Sequence, residues 1–212
     1  MRKNLLNLVY PVILILVTAC AGRASIPTVL PTDIEQSAQT PTPAVSQANL
    51  EKEKQAVYAS FFKNYSGMVI LQEDTSTGFL PSSPEELQQR MEYITSGLPN
   101  ASKETRNDFL ARNRQSSQLS PDMQLGIRYI LLSTEELSAI IDQPNGWDVF
   151  HEKYSLSGYM QFSQVGFNKA LEQAIVYIGS VPGPMMGSGN YYLMEKKGGQ
   201  WIIKEQVLAW VS

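Results

Sequence analysis

Cysteine and histidine are almost missing from this chain of 212 residues, which holds one of each, Cys20 and His151. A lone thiol excludes an intramolecular disulfide. A lone histidine excludes a metal site built on two histidines, and any Ser-His-Asp arrangement would have to use His151. Charge is also sparse, at 17% of residues, and leans acidic. Once Arg2 and Lys3 leave with the N-terminal segment, 15 basic residues stand against 20 acidic ones, a net of −5. Nucleic acid binding calls for a basic stripe that this balance does not provide. Electrostatic docking on anionic lipid is disfavoured for the same reason. No nucleotide, metal or cofactor motif is present, and no internal repeat.

What is present begins at the N-terminus. Arg2 and Lys3 precede an apolar stretch from Leu5 to Val17, followed by the small residues Thr18 and Ala19. These are the three parts of an export signal. Asn7 and Pro11 interrupt the apolar part, which is too short for a comfortable membrane span. Val17-Thr18-Ala19-Cys20 resembles the bacterial lipoprotein box, whose cysteine becomes the lipidated first residue of the mature chain. That resemblance implies a signal peptide over 1–19, an acyl (palmitate-type) anchor on Cys20 and an extracytoplasmic, membrane-attached protein. Ala21 after the cysteine implies the outer membrane in a diderm host.

From Cys20 to Asn49 the composition shifts to Pro27, Pro31, Pro41 and Pro43 among Thr, Ser, Gln and Ala. Such a stretch buries too little apolar surface to offset its ordering entropy, and reads as a flexible tether. The globular domain is expected over 50–212. Val57, Tyr58, Phe61, Phe62 and Tyr65 fall at helical spacing up to Gly67. Met68–Leu71 reads as a short strand. Ser83-Pro84-Glu85-Glu86 opens a helix with Leu87, Met91, Ile94 and Leu98 on one face. A further helix is expected over Lys103–Arg114, and a strand over Ile127–Leu132. Ser133-Thr134-Glu135-Glu136 repeats the capping pattern, and Trp147–Tyr154 forms one more helical segment.

The last quarter of the chain reads as an antiparallel meander. Met160–Phe167 changes apolar parity between Phe162 and Val165, which predicts a bulge near Gly166. Gln173–Ile178 is a run covered on both faces. Asn190–Lys196, the Gly198-Gly199 turn and Gln200–Val211 form a hairpin with Trp201, Ile203 and Val207 on one parity. The fold class is therefore α+β: N-terminal amphipathic helices packed on one face of a C-terminal antiparallel meander, in a single domain. Nuclear-transport-factor-like domains offer an analogy for helices on a curved sheet.

Candidate functional residues are few. His151 shares a helical face with Trp147, Phe150 and Tyr154, the setting of a histidine at a core edge. The Glu135-Glu136 pair points in two directions and is accounted for by helix capping. Met185 and Met186, in an unusual loop over 182–189, offer an adaptable contact surface or pack back on the sheet. Tyr191 and Tyr192, with Trp201 and Trp210, line a ligand groove or belong to the core.

Several segments together resemble an uncharacterised family of bacterial exported, lipid-anchored proteins. They are Val165-Gly166-Phe167-Asn168, Gln173–Gly179, Gly187-Ser188-Gly189-Asn190-Tyr191-Tyr192-Leu193, Gly199-Gln200-Trp201 and Trp210-Val211-Ser212, with Asp108–Asn113 more loosely. Relatives often carry arginine where Gln164 stands here, and some carry cysteines near Met185 and Met186. The resemblance implies a compartment and an architecture but no chemistry. The expectation is a lipid-anchored envelope or cell-surface protein whose domain binds or scaffolds an extracytoplasmic protein or polymer. The alternative is a hydrolase of envelope polymers.

Overall fold

The computed structural model describes residues 46–212. The signal segment, Cys20 and nearly all of the tether lie outside the described residues. The domain is mixed α+β, with five helices and one seven-stranded sheet.

Helix α1 (Gln47–Ser60) starts where the Ser46 side chain accepts from the Asn49 amide, three residues ahead of the expected start at Leu50. It ends at Ser60 rather than near Gly67, because Phe61 and Phe62 donate to carbonyls three residues back and tighten the last turn. Strand β1 (Met68–Gln72) follows. Helix α2 (Pro84–Gly97) is capped by Ser83, and α3 (Lys103–Arg112) by Ser102. Strand β2 (Arg128–Leu132) leads to α4 (Thr134–Ile141), where Ser133 and Glu136 form the reciprocal capping box, and then to α5 (Gly146–Tyr154). Strands β3 (Tyr159–Phe162), β4 (Gly166–Phe167), β5 (Gln173–Gly183), β6 (Met186–Lys197) and β7 (Gln200–Val211) complete the chain.

The sheet order is β2-β1-β3-β5-β6-β7, with β4 also paired to β5. Only β3 to β7 are antiparallel. β1 runs parallel to both β2 and β3, so the sheet is mixed rather than a pure meander. Helices also lie on both faces, not one. α1 and the segment carrying Leu119, Met123 and Leu125 cover Ala174, Val176, Ile178 and Met194. On the opposite face α2 and α3 bury Ile175, Tyr177, Tyr191 and Leu193, while α4 and α5 cover Ile70 and Tyr159. The continuous apolar run of β5 was the signal for this double cover.

Bulges between β3 and β4 and within β7 decide which side chains face where. Phe162 pairs with Ile178 and Gly166 with Ile175, so three residues, Ser163 to Val165, oppose two. The expected bulge exists, and it splits the strand into β3 and β4. In β7, Leu193 pairs with Glu205 but Met194 with Ile203, which leaves Lys204 as the extra residue. Parity reverses there. Trp201 packs with the α1 core and Val207 with the α2 core, on opposite faces. Ile203 is 49% exposed, against the expectation that it is buried with Trp201. It lies on the outermost strand, past the reach of α1.

Candidate functional site

The residues singled out from sequence do not form one site. Met185 and Met186 are exposed, Met185 at 82%, at the tip of a tight β5–β6 hairpin in which Gly183 pairs with Met186. The expected 182–189 loop is thus mostly strand. Tyr191 is fully buried under α2 and α3, and its hydroxyl donates to the Gly78 carbonyl at 2.5 Å. Tyr192 points to the other face, edge-on to Phe61 at 5.0 Å. Consecutive strand residues face opposite sides, so the two tyrosines cannot share a groove. Trp201 is buried against α1, while Trp210 lies with the α2 cluster. His151 is exposed on α5, its ring 5.9 Å from Trp147.

Segments 108–113 and 163–167 form one interlocked structural unit. A Cβ on Gly166 would lie 2.2 Å from the Phe109 Cα, so the β4 backbone and α3 touch directly. Asn113 Nδ2 donates to the carbonyls of Phe109 and Gln164, and its Oδ1 accepts from the Gln164 amide. Asp108 Oδ2 accepts from the Phe167 amide at 2.7 Å. These contacts satisfy the backbone groups that the Ser163–Val165 bulge leaves unpaired. Gly187 and Gly189 have a similar role further along. Side chains there would collide with the Trp210 indole. The indole lies over bare backbone, and its Nε1 donates to the Tyr177 hydroxyl at 2.7 Å.

That tryptophan leads to a site the sequence reading missed. The Phe79 ring lies tilted against Trp210 at 5.7 Å and Tyr177 at 5.8 Å, yet 47% of the residue is exposed. Its backbone has φ 56°, directly after Gly78 at φ 68°. A bulky residue in the left-handed region is strained, and such strain persists only where neighbours over-determine it. Here they do. Thr75 N and Ser76 N donate to the carbonyls of Ser117 and Phe162, Ser76 Oγ accepts from Gly78 N, and Tyr191 holds the Gly78 carbonyl.

Phe79 closes one end of a cleft of about 600 Å³ whose other walls are Pro81, Ala209 and the outer face of α2. From α2 come Glu86, Gln89, Arg90 and Tyr93. Tyr93 donates its hydroxyl to the Leu208 carbonyl at 2.6 Å, tying the helix to the edge strand. Among the described residues neither Arg90 nor Glu86 is in an ion pair. Burial pushes the Tyr191 phenol up, with the Arg90 charge pulling against it. Tyr177 is pushed up to about 12 by burial, partly offset by the Trp210 hydrogen bond. Both hydroxyls stay protonated at neutral pH.

A second cleft, of about 570 Å³, lies between α1, the turn at Gly126 and the β6–β7 hairpin. Its groups are committed within the protein. Trp201 Nε1 donates to Glu53, and Lys63 donates to Gln200. The Phe79 cleft is the better candidate because the Phe79 ring is half exposed and Glu86 and Gln89 on its α2 wall are exposed.

One signal for this site was legible: Gly78-Phe79-Leu80-Pro81 places an aromatic residue in a turn, and Arg90 and Tyr93 fall off the Leu87–Met91–Ile94–Leu98 stripe. Among the described residues no helix is long and apolar enough to cross a membrane, and no three His, Cys, Asp or Glu side chains group for a metal ion. Compared with protein-family models, curated proteins and solved structures, the chain matches none.

Proposed function

We propose that this chain is a lipid-anchored envelope or cell-surface protein whose α+β domain binds an extracytoplasmic protein or polymer without transforming it. The anchor rests on Val17-Thr18-Ala19-Cys20, with the chain's one thiol at the position acylated in lipoproteins. The family likeness points to the same compartment. The binding reading rests on one observation above all: Phe79 is held in strained backbone so that its ring faces an open cleft. Strain of this kind concentrates at ligand contacts. A single carboxylate, Glu86, lines the cleft, whereas hydrolysis by paired carboxylates needs two facing each other across the substrate.

Two experiments test the reading. Metabolic labelling with a fatty-acid probe should mark the wild-type chain and lose the mark in Cys20→Ser; equal labelling of both defeats the anchor. Co-sedimentation with isolated cell envelopes, after subtraction of lipid-mediated attachment using Cys20→Ser as the background, should fall in Phe79→Ala. Unchanged sedimentation of a Phe79→Ala protein with normal melting defeats the cleft.

A further inference from the structure

We propose that the Phe79 cleft is a saccharide subsite that takes a neutral sugar ring; this deepens the binding reading above and rests on it. A sugar presents a C–H face, which packs on an aromatic ring, and a rim of hydroxyls, each both donor and acceptor. It therefore needs one flat aromatic surface beside groups of both hydrogen-bonding senses. Phe79 supplies the surface, half exposed and kept rigid by Tyr177 and Trp210 behind it.

The α2 wall supplies both senses. Arg90 carries only donors, Glu86 only acceptors, and Gln89 one of each kind. Tyr93 has committed its proton to the Leu208 carbonyl, which leaves its oxygen as an acceptor. The charges of Glu86 and Arg90 balance, so a neutral ligand is matched better than an anionic one, which would meet Glu86 one helical turn from Arg90. An apolar helix or peptide fits poorly, since four of the seven lining side chains are polar. The volume, about 600 Å³, lies in the range of small-molecule sites.

The test uses the full-length chain in detergent, titrated with chito-, cello- and malto-oligosaccharides up to about 10 mM, a concentration that reveals even millimolar affinity. Binding is read by calorimetry and by tryptophan emission, since Trp210 backs Phe79. Saturable binding of at least one of these probes is expected. It should weaken about tenfold in Phe79→Ala, with partial retention in Phe79→Trp. Gln89→Ala, on the exposed face of α2, should weaken it without lowering the melting temperature. Melting curves of every variant separate lost binding from lost folding. No binding of any of the three series overturns the proposal, as does binding that survives in Phe79→Ala. A polyuronate or glycerol-phosphate oligomer bound in their place overturns the neutral-sugar assignment. If envelope co-sedimentation still depends on Phe79 while all three series fail, the saccharide assignment falls and the binding reading stands. If neither depends on Phe79, both fall.

Discussion

Glu53 on α1 holds the indole of Trp201 on β7: its Oε2 accepts from Trp201 Nε1 at 2.8 Å, while its Oε1 accepts from Lys196 Nζ at 2.6 Å. Lys196 also lies over the Trp201 ring, 5.8 Å from its centroid, inside the limit of about 6 Å for an attractive cation–π contact. Glu53 is the one charged residue buried among the described residues, and both of its oxygens are satisfied. The trio is the polar seam that fastens the first helix to the last hairpin. Trp201→Ala is expected to cost about 3–5 kcal/mol through the cavity it leaves. Trp201→Phe should cost about 1–3 kcal/mol, because the apolar body stays while one Glu53 oxygen loses its donor. Denaturant midpoints with unchanged slopes check both. A Trp201→Ala change below about 1 kcal/mol would show that the indole is not core.

Ile203 offers the matching control. It stands on the same side of β7 as Trp201 but beyond the cover of α1. Ile203→Thr should shift stability by no more than about 0.5 kcal/mol. A loss comparable to that of Trp201→Ala would mean that the cover of α1 extends to Ile203.

The α3–β4 junction should be intolerant of small changes. Gly166→Ala drives a methyl into the Phe109 backbone, and overpacking of this kind costs about 1–3 kcal/mol or more. Asn113→Ala removes the donor and the acceptor that pair with Gln164 in the bulge, and the donor that meets the Phe109 carbonyl, at about 1–3 kcal/mol for buried groups left unpaired. The two residues share one contact surface, so the double variant should lose less than the sum of the single losses. Thermal melts of the two single variants and the double variant give that comparison. Strict additivity would show that Asn113 acts elsewhere.

Alkaline titration should unfold the domain through its tyrosines. Tyr58, Tyr177 and Tyr191 are all raised above the ordinary value of 10.0 by burial, Tyr177 to about 12. A raised acid holds its proton more tightly in the folded state, so the unfolded chain loses protons first. Stability from these groups is fully present below pH 10 and declines as pH climbs through the folded values. Circular dichroism melts should therefore be flat up to about pH 10 and fall above it, with tyrosinate absorbance lagging that of free tyrosine. Full ionisation of every tyrosine at pH 10 in a still-folded protein would contradict the buried placement.

Local signals carried the secondary structure of this chain a long way. Ser83, Ser102 and Ser133 cap the helices they precede, because capping depends on a side chain and an amide three residues on. Gly198 and Gly199 take φ 56° and 78° and close the last hairpin, because only glycine enters that region freely. The α+β class, the double cover of β5 and the Ser163–Val165 bulge were equally legible, since each leaves its mark in the spacing of apolar residues along one short segment. Everything that depends on which segments meet was not. The parallel seating of β1 between β2 and β3, and which helices cover which face, come from pairings between segments far apart in the chain. One extra residue at Lys204 sent Trp201 and Val207 to opposite faces. Tyr191 and Tyr192 parted for the simpler reason that neighbours on a strand face opposite ways. The candidate site was decided in three dimensions as well. Phe79 comes from a turn, Arg90 and Tyr93 from the outer face of a helix, and Trp210 from the end of the chain. No periodicity links them; they meet because Gly187 and Gly189 leave room for an indole, and Tyr191 fixes the turn that lifts Phe79 over it.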